Sequence, residues 1–265
     1  MELVDIGFNF TSSAFRKDAD EVVARAKQAG VKHFVLTGSD LEESKFAIEL
    51  AQQYTGMVST TGVHPHLAKQ WQDDSYTKLK ALAENNNVAA IGEAGLDYNR
   101  NYSTPEQQRG AFEAQLKLAA ELGMPIFLHE RDAHDDFVRI LSDYRDKLSK
   151  VVVHCFTGST EELEKYLDLD CHIGITGWIC DERRGQHLHN SIKCIPANRL
   201  MIETDAPYLL PRDLPKDSYP KPDGRRNEPA YLPHILATVA KCRDQSEEQT
   251  AAETTQTAKE FFSLD

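Results

Sequence analysis

The sequence lacks the features that would assign it to a secreted or membrane class. Its five cysteines are odd in number and contain no Cys-x-x-Cys pair, which predicts reduced thiols rather than a disulfide framework. No apolar run approaches the length of a membrane span, and the first residues show no signal peptide. We therefore expect a cytoplasmic protein that does not cross a membrane.

Basic residues are also scarce. The chain has 30 Lys and Arg against 42 Asp and Glu, which gives a formal net charge of −12. This balance disfavours a protein that coats nucleic acid, because such proteins are basic. It does not exclude an enzyme that contacts a few phosphates, and carboxylates that hold a divalent metal would themselves lower the charge.

What the chain does have is a regular alternation of short apolar runs and helical patterns. Eight such units follow one another at intervals of very roughly 25–35 residues, the size of βα units. The predicted strands are 4–9, 33–38, 57–64, 88–93, 125–129, 150–154, 172–176 and one that begins at Leu200. The predicted helices are 16–29, 41–54, a polar stretch ending near 85, 105–122, 133–147, 160–168, 183–193, 231–243 and 247–262.

This pattern predicts an α/β protein with one domain over residues 1–265, folded as a (β/α)₈ TIM-like barrel. The alternative is a doubly wound open sheet. No Gly-x-Gly-x-x-Gly follows the first predicted strand, which disfavours the dinucleotide-binding form of that fold.

The eighth predicted strand ends in two carboxylates, Glu203 and Asp205, before Pro207. Strand alternation places the two carboxylates on the same face. Buried carboxylates are costly unless a metal, a cation or hydrogen-bond donors receive them. A carboxylate that only caps a neighbouring helix is the alternative.

Polar residues also end other predicted strands, where the catalytic groups of such barrels lie. Glu93 ends the fourth strand, His129 the fifth, His154 the sixth, and Asp205 follows the eighth. One such histidine is usually a core residue with a single hydrogen bond. Four strand ends that together supply imidazoles and carboxylates predict a divalent-metal site made of Glu93, His129, His154 and Asp205.

Other residues near these strand ends could contact a substrate. His64 and His66 end the third predicted strand and either bind phosphate or shape the loop around Pro65. Arg131 is the better phosphate ligand, because its planar guanidinium suits two phosphate oxygens. Further loop arginines are phosphate ligands or ordinary surface, namely Arg183, Arg184, Arg212, Arg225 and Arg226.

Several motifs together resemble the TatD family of metal-dependent deoxyribonucleases. They are Gly62-Val-His-Pro-His66, Ile91-Gly-Glu-Ala-Gly-Leu-Asp97, the segment Pro125 to Asp135, and the segment Ile195 to Pro207. The resemblance runs from Asp5 to about Pro233. The segments Thr176 to Arg184 and Arg225 to Ala230 are most similar to bacterial members of the family.

The resemblance implies a barrel of the metallo-dependent hydrolase kind and a 3′→5′ exonuclease on single-stranded DNA and RNA. It implies Mg²⁺ as the cofactor, with Mn²⁺ as the second choice. Glu93, His129, His154 and Asp205 fall on the metal-site positions of the family. Strand one departs from the family pattern Asp-x-His-x-His, because Gly7 and Asn9 replace the two histidines. This departure predicts a weakly held, exchangeable metal.

Three functions compete at this stage. In a phosphodiesterase, Glu93 and Asp205 would be catalytic, with Asp205 as the proton acceptor, and Arg131 would hold the phosphate. An amidohydrolase acting on a small cyclic amide is the alternative, but Glu93 stands where such an enzyme would carry a carbamylated lysine. A non-catalytic binding protein is the third. We expect a monomer with no obligate protein partner.

A Pro-rich segment over residues 207–230 follows the eighth strand and would cover the barrel mouth. Its prolines are Pro207, Pro211, Pro215, Pro220, Pro222 and Pro229. A covered mouth would admit a chain end more readily than an internal bond. Stacking surface for a single strand could come from Tyr98, Trp178 or Tyr208.

Overall fold

The computed structural model describes residues 1–215, 217, 219–221 and 223–265, so Pro222 of the Pro-rich segment lies outside the described residues. Two compact units divide the chain. The first unit comprises Met1–Val35, Cys155–Leu163 and Ile173–Asp265, and the second comprises Leu36–His154 and Glu164–His172. The predicted single domain over residues 1–265 stays a prediction.

Eight strands form one sheet in the order β1-β2-β3-β4-β5-β6-β7-β8. The strands are β1 Leu3–Phe8, β2 Val31–Leu36, β3 Met57–Thr61, β4 Val88–Asp97, β5 Ile126–Arg131, β6 Val151–Val153, β7 His172–Ile175 and β8 Leu200–Ile202. Neighbouring strands run parallel, as in β3–β4, β4–β5, β5–β6 and β7–β8. Within the first unit, Phe8 at the end of β1 bridges to Ala206 after β8.

Helices follow the strands, and their bounds are close to those predicted. They are α1 Ala19–Gln28, α2 Leu41–Gln53, α3 Ser75–Ala83, α4 Pro105–Leu122, α5 His134–Tyr144, α6 Thr160–Asp168, α7 Leu188–Ser191, α8 Leu232–Cys242 and α9 Glu247–Phe262. Sequential strand order with intervening helices confirms the predicted (β/α)₈ TIM-like barrel. It rules out the doubly wound sheet, in which the strand order reverses at a switch point.

Local signals explain the sharpest helix ends. Thr104 and Gln107 form a capping box at the start of α4, and Pro105 is its first residue. Gly123 ends the helix in the left-handed conformation with φ of +64°. Asp40 caps α2 and Ser246 caps α9 through their side-chain oxygens. Among the described residues, none of the helices is long and apolar enough to cross a membrane.

Four elements differ from the prediction. β3 ends at Thr61 instead of residue 64, so His64 and His66 lie at the start of the 3-10 turn that follows the strand. β4 runs on to Asp97, because its last residues pair with β5 as far as Arg131. β8 ends at Ile202, and Asp205 has a φ of +54°, so strand alternation does not extend to Glu203 and Asp205. The helix predicted over 183–193 is only the short α7, because Asp181 draws the preceding residues into a turn through the N–H groups of Arg184 and Gly185.

Candidate metal centre

Two glycines set the spacing of β3 and β4 just before His64 and Glu93. A Cβ atom on Gly62 would lie 2.4 Å from the carbonyl carbon of Gly92, and Gly92 itself has a φ of +131°. Only glycine allows both the approach and this backbone conformation. His64 lies two residues after Gly62, and Glu93 comes directly after Gly92. The Nε2 atom of His64 lies 3.3 Å from Oε1 of Glu93.

Glu93 is surrounded by imidazoles. Its Oε1 atom lies 2.8 Å from Nε2 of His154 and 3.1 Å from Nδ1 of His129, in addition to His64. We call His64, Glu93, His129 and His154 the imidazole cluster. The sequence predicted that Glu93, His129 and His154 converge, and the structure brings them together in the second unit.

A second carboxylate, Asp97, borders the imidazole cluster. Its Oδ2 atom lies 2.7 Å from Nε2 of His66 and 3.4 Å from Nε2 of His129. The N–H of Arg100 also donates to Oδ1 of Asp97, at 3.0 Å. Asp97 therefore fixes the rings of both histidines, a role that the sequence did not assign to it. Its place two alternating positions after Glu93 on β4 was the available signal.

The pKa values follow from these contacts. Burial favours the neutral form of Glu93, but the adjacent histidines outweigh it and hold the pKa of Glu93 well below its usual range. Burial also disfavours a charged His129, yet hydrogen bonds to Asp97 and Glu93 raise the pKa of His129 to about 9. His64 behaves differently, because burial lowers its pKa despite the attraction of Glu93.

The donor set of the cluster fits a divalent cation. His64, Glu93 and His129 each offer a ligand atom, and these atoms lie within 4.8 Å of one another. Imidazole nitrogens together with a carboxylate oxygen are the usual protein ligands of hydrolytic metals. His129 lies between the carboxylates of Glu93 and Asp97, so a bound cation would neutralise the same charges that a protonated His129 would neutralise.

The first unit contains a different group of carboxylates. Asp5 is fully buried and accepts from the N–H groups of Gly7 and Thr204 and from the hydroxyl of Thr204. Glu203 is also fully buried, and its Oε1 accepts from the N–H of Cys155 at 2.6 Å. We call Asp5 and Glu203 the buried carboxylate pair. Burial and the neighbouring charge of Glu203 raise the pKa of Asp5 to about 7, against the hydrogen bonds that lower it.

The two departures on β1 have clear structural consequences. A Cβ atom on Gly7 would lie 2.1 Å from Oε2 of Glu203, so the glutamate fills the space that a side chain at position 7 would need. Asn9 donates through Nδ2 to Oδ1 of Asp205 at 2.8 Å. The N–H of Asp205 donates to the carbonyl oxygen of Gly7. Asn9 therefore holds the Asp205 carboxylate in place. That Asp205 binds the same metal as Glu93 stays a prediction.

Most of the predicted loop arginines are held by carboxylates of their own unit. Asp181 pairs with Arg183 and Arg184 and lies 3.8 Å from Arg212. Arg226 pairs with Asp18 and Glu228 and is largely buried. Arg131 is exposed at the end of β5 and forms no ion pair with any residue that the structure describes. It is therefore better placed than these paired arginines to bind an external phosphate.

The predicted stacking residues also differ in availability. The Tyr98 hydroxyl donates to Asp136, and the guanidinium of Arg184 lies 4.1 Å above the Trp178 ring, whereas Tyr208 is 60 % exposed. Tyr102 was not among the predicted residues, and it is 55 % exposed and meets the His66 ring edge-on at a centroid distance of 4.9 Å. An aromatic residue two positions after Arg100, in the loop that follows β4, was the available signal.

Comparison with known proteins gives consistent matches over the whole chain. The family described as TatD related DNase matches residues 4–263. A 3′-5′ ssDNA/RNA exonuclease TatD from Klebsiella pneumoniae is 53 % identical over 263 residues, which are 99 % of this chain and 98 % of that protein. The protein of the same name from Escherichia coli K12 is 52 % identical over 262 residues, 99 % of both chains. The solved structure of a TatD homologue from Escherichia coli K12 superposes with a TM-score of 0.89 at 26 % identity, over 99 % of this chain and 98 % of that one.

Proposed function

Since the chain belongs to the TatD related DNase family, we propose that it removes nucleotides one at a time from the 3′ end of single-stranded DNA and RNA. Family membership and the curated relatives confirm the predicted enzyme class, a hydrolase acting on phosphodiester bonds. The direction of attack and the single-stranded substrate are taken from relatives named as 3′-5′ ssDNA/RNA exonucleases. The observation that carries the proposal is the convergence of three imidazoles on Oε1 of Glu93.

Glu93, His129 and His154 would hold the catalytic metal, with His64 within reach of the same ion. When bound, a divalent metal polarises a phosphoryl oxygen and acidifies a bound water. Asp97 keeps His129 and His66 oriented through its Oδ2 atom. Loss of Asp97 would therefore weaken the site without removing a ligand.

The donor set also bears on the choice of metal. Mg²⁺ prefers oxygen ligands and keeps several waters, whereas imidazole suits Mn²⁺ and Zn²⁺ better. The predicted Mg²⁺ stays a prediction, and the nitrogen-rich cluster favours Mn²⁺ as the alternative. Position 7 offers no further imidazole, which supports a weakly held, exchangeable ion.

The roles of the remaining predicted residues belong to this proposal. Asp205, held by Asn9, would be the fourth ligand and would accept the proton of the attacking water. Arg131 would bind the scissile phosphate. His66 and His64 would contact the phosphate chain, and Tyr102 beside His66 would stack against a base. A cytoplasmic location and a monomeric state stay predictions.

The two other functions lose support. A cyclic-amide hydrolase of this fold would carry a lysine at the position in β4 where Glu93 lies among three histidines. A binding protein without catalysis is disfavoured by membership of a nuclease family and by curated relatives that are named as exonucleases. Neither alternative is favoured by an observation of its own.

The test uses three single strands of one sequence that carry a fluorescent label on a base near the 5′ end. One strand has both ends free, one has its 3′ end blocked by an inverted nucleotide, and one has its 5′ end blocked by a 5′-linked spacer. A time course in Mn²⁺ or Mg²⁺ should give a descending ladder on the first and third strands. The 3′-blocked strand should resist. Chelator should abolish all activity.

Three kinds of result would overturn the proposal. Immediate appearance of mid-length fragments, or nicking of a covalently closed duplex circle, would show an endonuclease. Equal degradation of both blocked strands would contradict the 3′→5′ direction of attack. Full activity after exhaustive chelation would show that the reaction does not need a metal.

A further inference from the structure

A second group of metal-ligating side chains lies in the first unit, outside the imidazole cluster. Cys180, Asp213 and His234 each offer one ligand atom, and the three atoms lie within 4.8 Å of one another. Cys180 ends the 3-10 turn Gly177–Cys180 after β7, and His234 lies in α8. Asp213 belongs to the Pro-rich segment after β8. Three separate elements thus bring a thiol, a carboxylate and an imidazole to one place.

The surroundings hold these groups in position. Cys180 is buried, and its Sγ atom donates to Oγ1 of Thr238 at 3.4 Å, one helical turn beyond His234 on α8. The side chain of His234 is 13 % exposed and that of Asp213 is 48 % exposed, and Nε2 of His234 lies 2.7 Å from Oδ1 of Asp213. The group is therefore anchored on its buried side and open to solvent at the aspartate.

The donor types select the class of metal. Thiolate and imidazole ligands disfavour Mg²⁺ and Ca²⁺ and suit Zn²⁺. In a tetrahedral Zn²⁺ site with bonds of about 2.0–2.3 Å, ligand atoms stand about 3.3–3.8 Å apart. Nε2 of His234 and Oδ1 of Asp213 would need to separate by only about half an ångström, which rotation of the half-exposed aspartate allows. The ligand atom of Cys180 lies within 4.8 Å of both.

We propose that Cys180, Asp213 and His234 form a Zn²⁺ site with water as the fourth ligand. The ion ties the segment after β8 to α8 and to the turn after β7. Its effect is structural, because it joins elements of the first unit that are otherwise linked by hydrogen bonds and ion pairs. This Zn²⁺ site shares no residue with the imidazole cluster, so it can be tested independently of the proposed nuclease activity.

Because the imidazole cluster contains no sulfur ligand, Co²⁺ spectroscopy on the full chain distinguishes the two sites. Co²⁺ bound to a thiolate gives a sulfur-to-metal charge-transfer band in the near ultraviolet, and Co²⁺ bound only to imidazole and carboxylate does not. The chelator-treated protein should gain this band on titration with Co²⁺, saturating at one sulfur-bound ion per chain, and Zn²⁺ should displace it.

Matched variants assign the band. Cys180→Ser should lose it, whereas Cys194→Ser, which alters an exposed cysteine outside the group, should keep it. Absence of the band from the wild-type protein, or its persistence in Cys180→Ser, would overturn the proposal.

A second variant covers the case in which Cys180→Ser does not fold. Asp213→Ala removes a half-exposed ligand and should fold like the wild type, as checked by circular dichroism. Its Co²⁺ affinity should fall by more than the roughly 10–100-fold that loss of an outer partner costs. An unchanged affinity would contradict the site.

Discussion

Two groups of buried carboxylates, one in each unit, are surrounded by different donors. In the imidazole cluster, ring nitrogens lie around Glu93, and the pKa of this carboxylate is well below its usual range. In the buried carboxylate pair, amide N–H groups and a hydroxyl surround Asp5, and its pKa is raised to about 7. Burial opposes ionisation in both places, so the neighbours decide the outcome.

The difference teaches which carboxylates can receive a cation. Imidazoles can release protons to solvent and offer their nitrogens to a metal, so the cluster can exchange protons for an ion. The backbone N–H groups and the threonine hydroxyl around Asp5 add no imidazole nitrogen that could bind a metal. We therefore assign the buried carboxylate pair a structural role at the ends of β1 and β8, where the side chain of Glu203 fills the space beside Gly7.

The largest expected effect comes from removing the charge at the centre of the imidazole cluster. Glu93→Gln should lower kcat by about 10³-fold or more, because a metal contributes several kcal/mol and 1.36 kcal/mol is tenfold in rate. Single-turnover degradation of labelled single strands measures it. His134→Gln, which alters a histidine bonded to Tyr166 instead, should retain activity. Wild-type rates in Glu93→Gln would show that the cluster is not catalytic.

The buried carboxylate pair should show itself in the pH dependence of stability. The pKa of Asp5 is raised from 3.8 to about 7, so the folded state holds a proton that the unfolded state has lost between these values. The free energy of unfolding therefore falls as pH rises from 4 to 7. At about 1.4 kcal/mol per pKa unit, the contribution of Asp5 to this fall is at most about 4 kcal/mol.

Asp5→Asn imitates the protonated acid and should remove this loss. Urea unfolding in chelator should give equal free energies for the variant and wild type near pH 4 and a more stable variant above pH 7. Asp143→Asn, on the exposed surface of α5, should leave the free energy of unfolding unchanged both near pH 4 and above pH 7. A variant that is less stable than wild type at pH 8 would mean that Asp5 is stabilised as the anion.

A smaller loss of stability should follow from filling the space that Glu203 occupies. Gly7→Ala places a Cβ atom 2.1 Å from Oε2 of Glu203, and such overpacking costs about 1–3 kcal/mol. Gly110→Ala on α4 meets nothing within 4 Å and should stabilise the protein by about 0.5–1 kcal/mol. Chemical denaturation of both variants measures the contrast. Equal stability of Gly7→Ala and wild type would show that Glu203 moves freely.

The smallest effect is expected at the edge of the imidazole cluster. Tyr102→Ala should raise KM about fivefold with kcat unchanged, near the lower end of the 1–3 kcal/mol that stacking of a base contributes. Phe46→Ala, an exposed aromatic on α2, is the control and should leave KM unchanged. Steady-state kinetics on short single strands measures KM for both variants. An unchanged KM in Tyr102→Ala would show that this residue does not contact the substrate.

The parts of the fold that could be predicted are those determined by neighbours in sequence. The bounds of α4 and α6 match the prediction, and for α4 the cause is local: Thr104, Pro105 and Gly123 define its ends. The grouping of Glu93, His129 and His154 was predicted because parallel strands end at one edge of the sheet. Each of these inferences needed only local pattern and topology.

The rest depended on contacts between residues far apart in sequence. The end of β8 was placed too late, because Asp5 receives the N–H of Thr204 across 199 residues. Asp97 was placed beyond β4, because its pairing with Arg131 of β5 is not visible in either segment alone. The pairing of Arg226 with Asp18 is also between residues far apart in sequence. Arg226 was therefore predicted to be a phosphate ligand or an ordinary surface residue, whereas it is largely buried.

The glycines at positions 62 and 92 together control the spacing of three neighbouring strands. A side chain at position 62 would meet the backbone of Gly92 in β4, and a side chain at position 92 would meet the carbonyl oxygen of Phe127 in β5. Shortening a neighbouring side chain could relieve neither clash, because the nearest atoms belong to the backbone. The separation of His64 and Glu93 is therefore tied to a backbone of β3, β4 and β5 that has room only for glycine at these two positions.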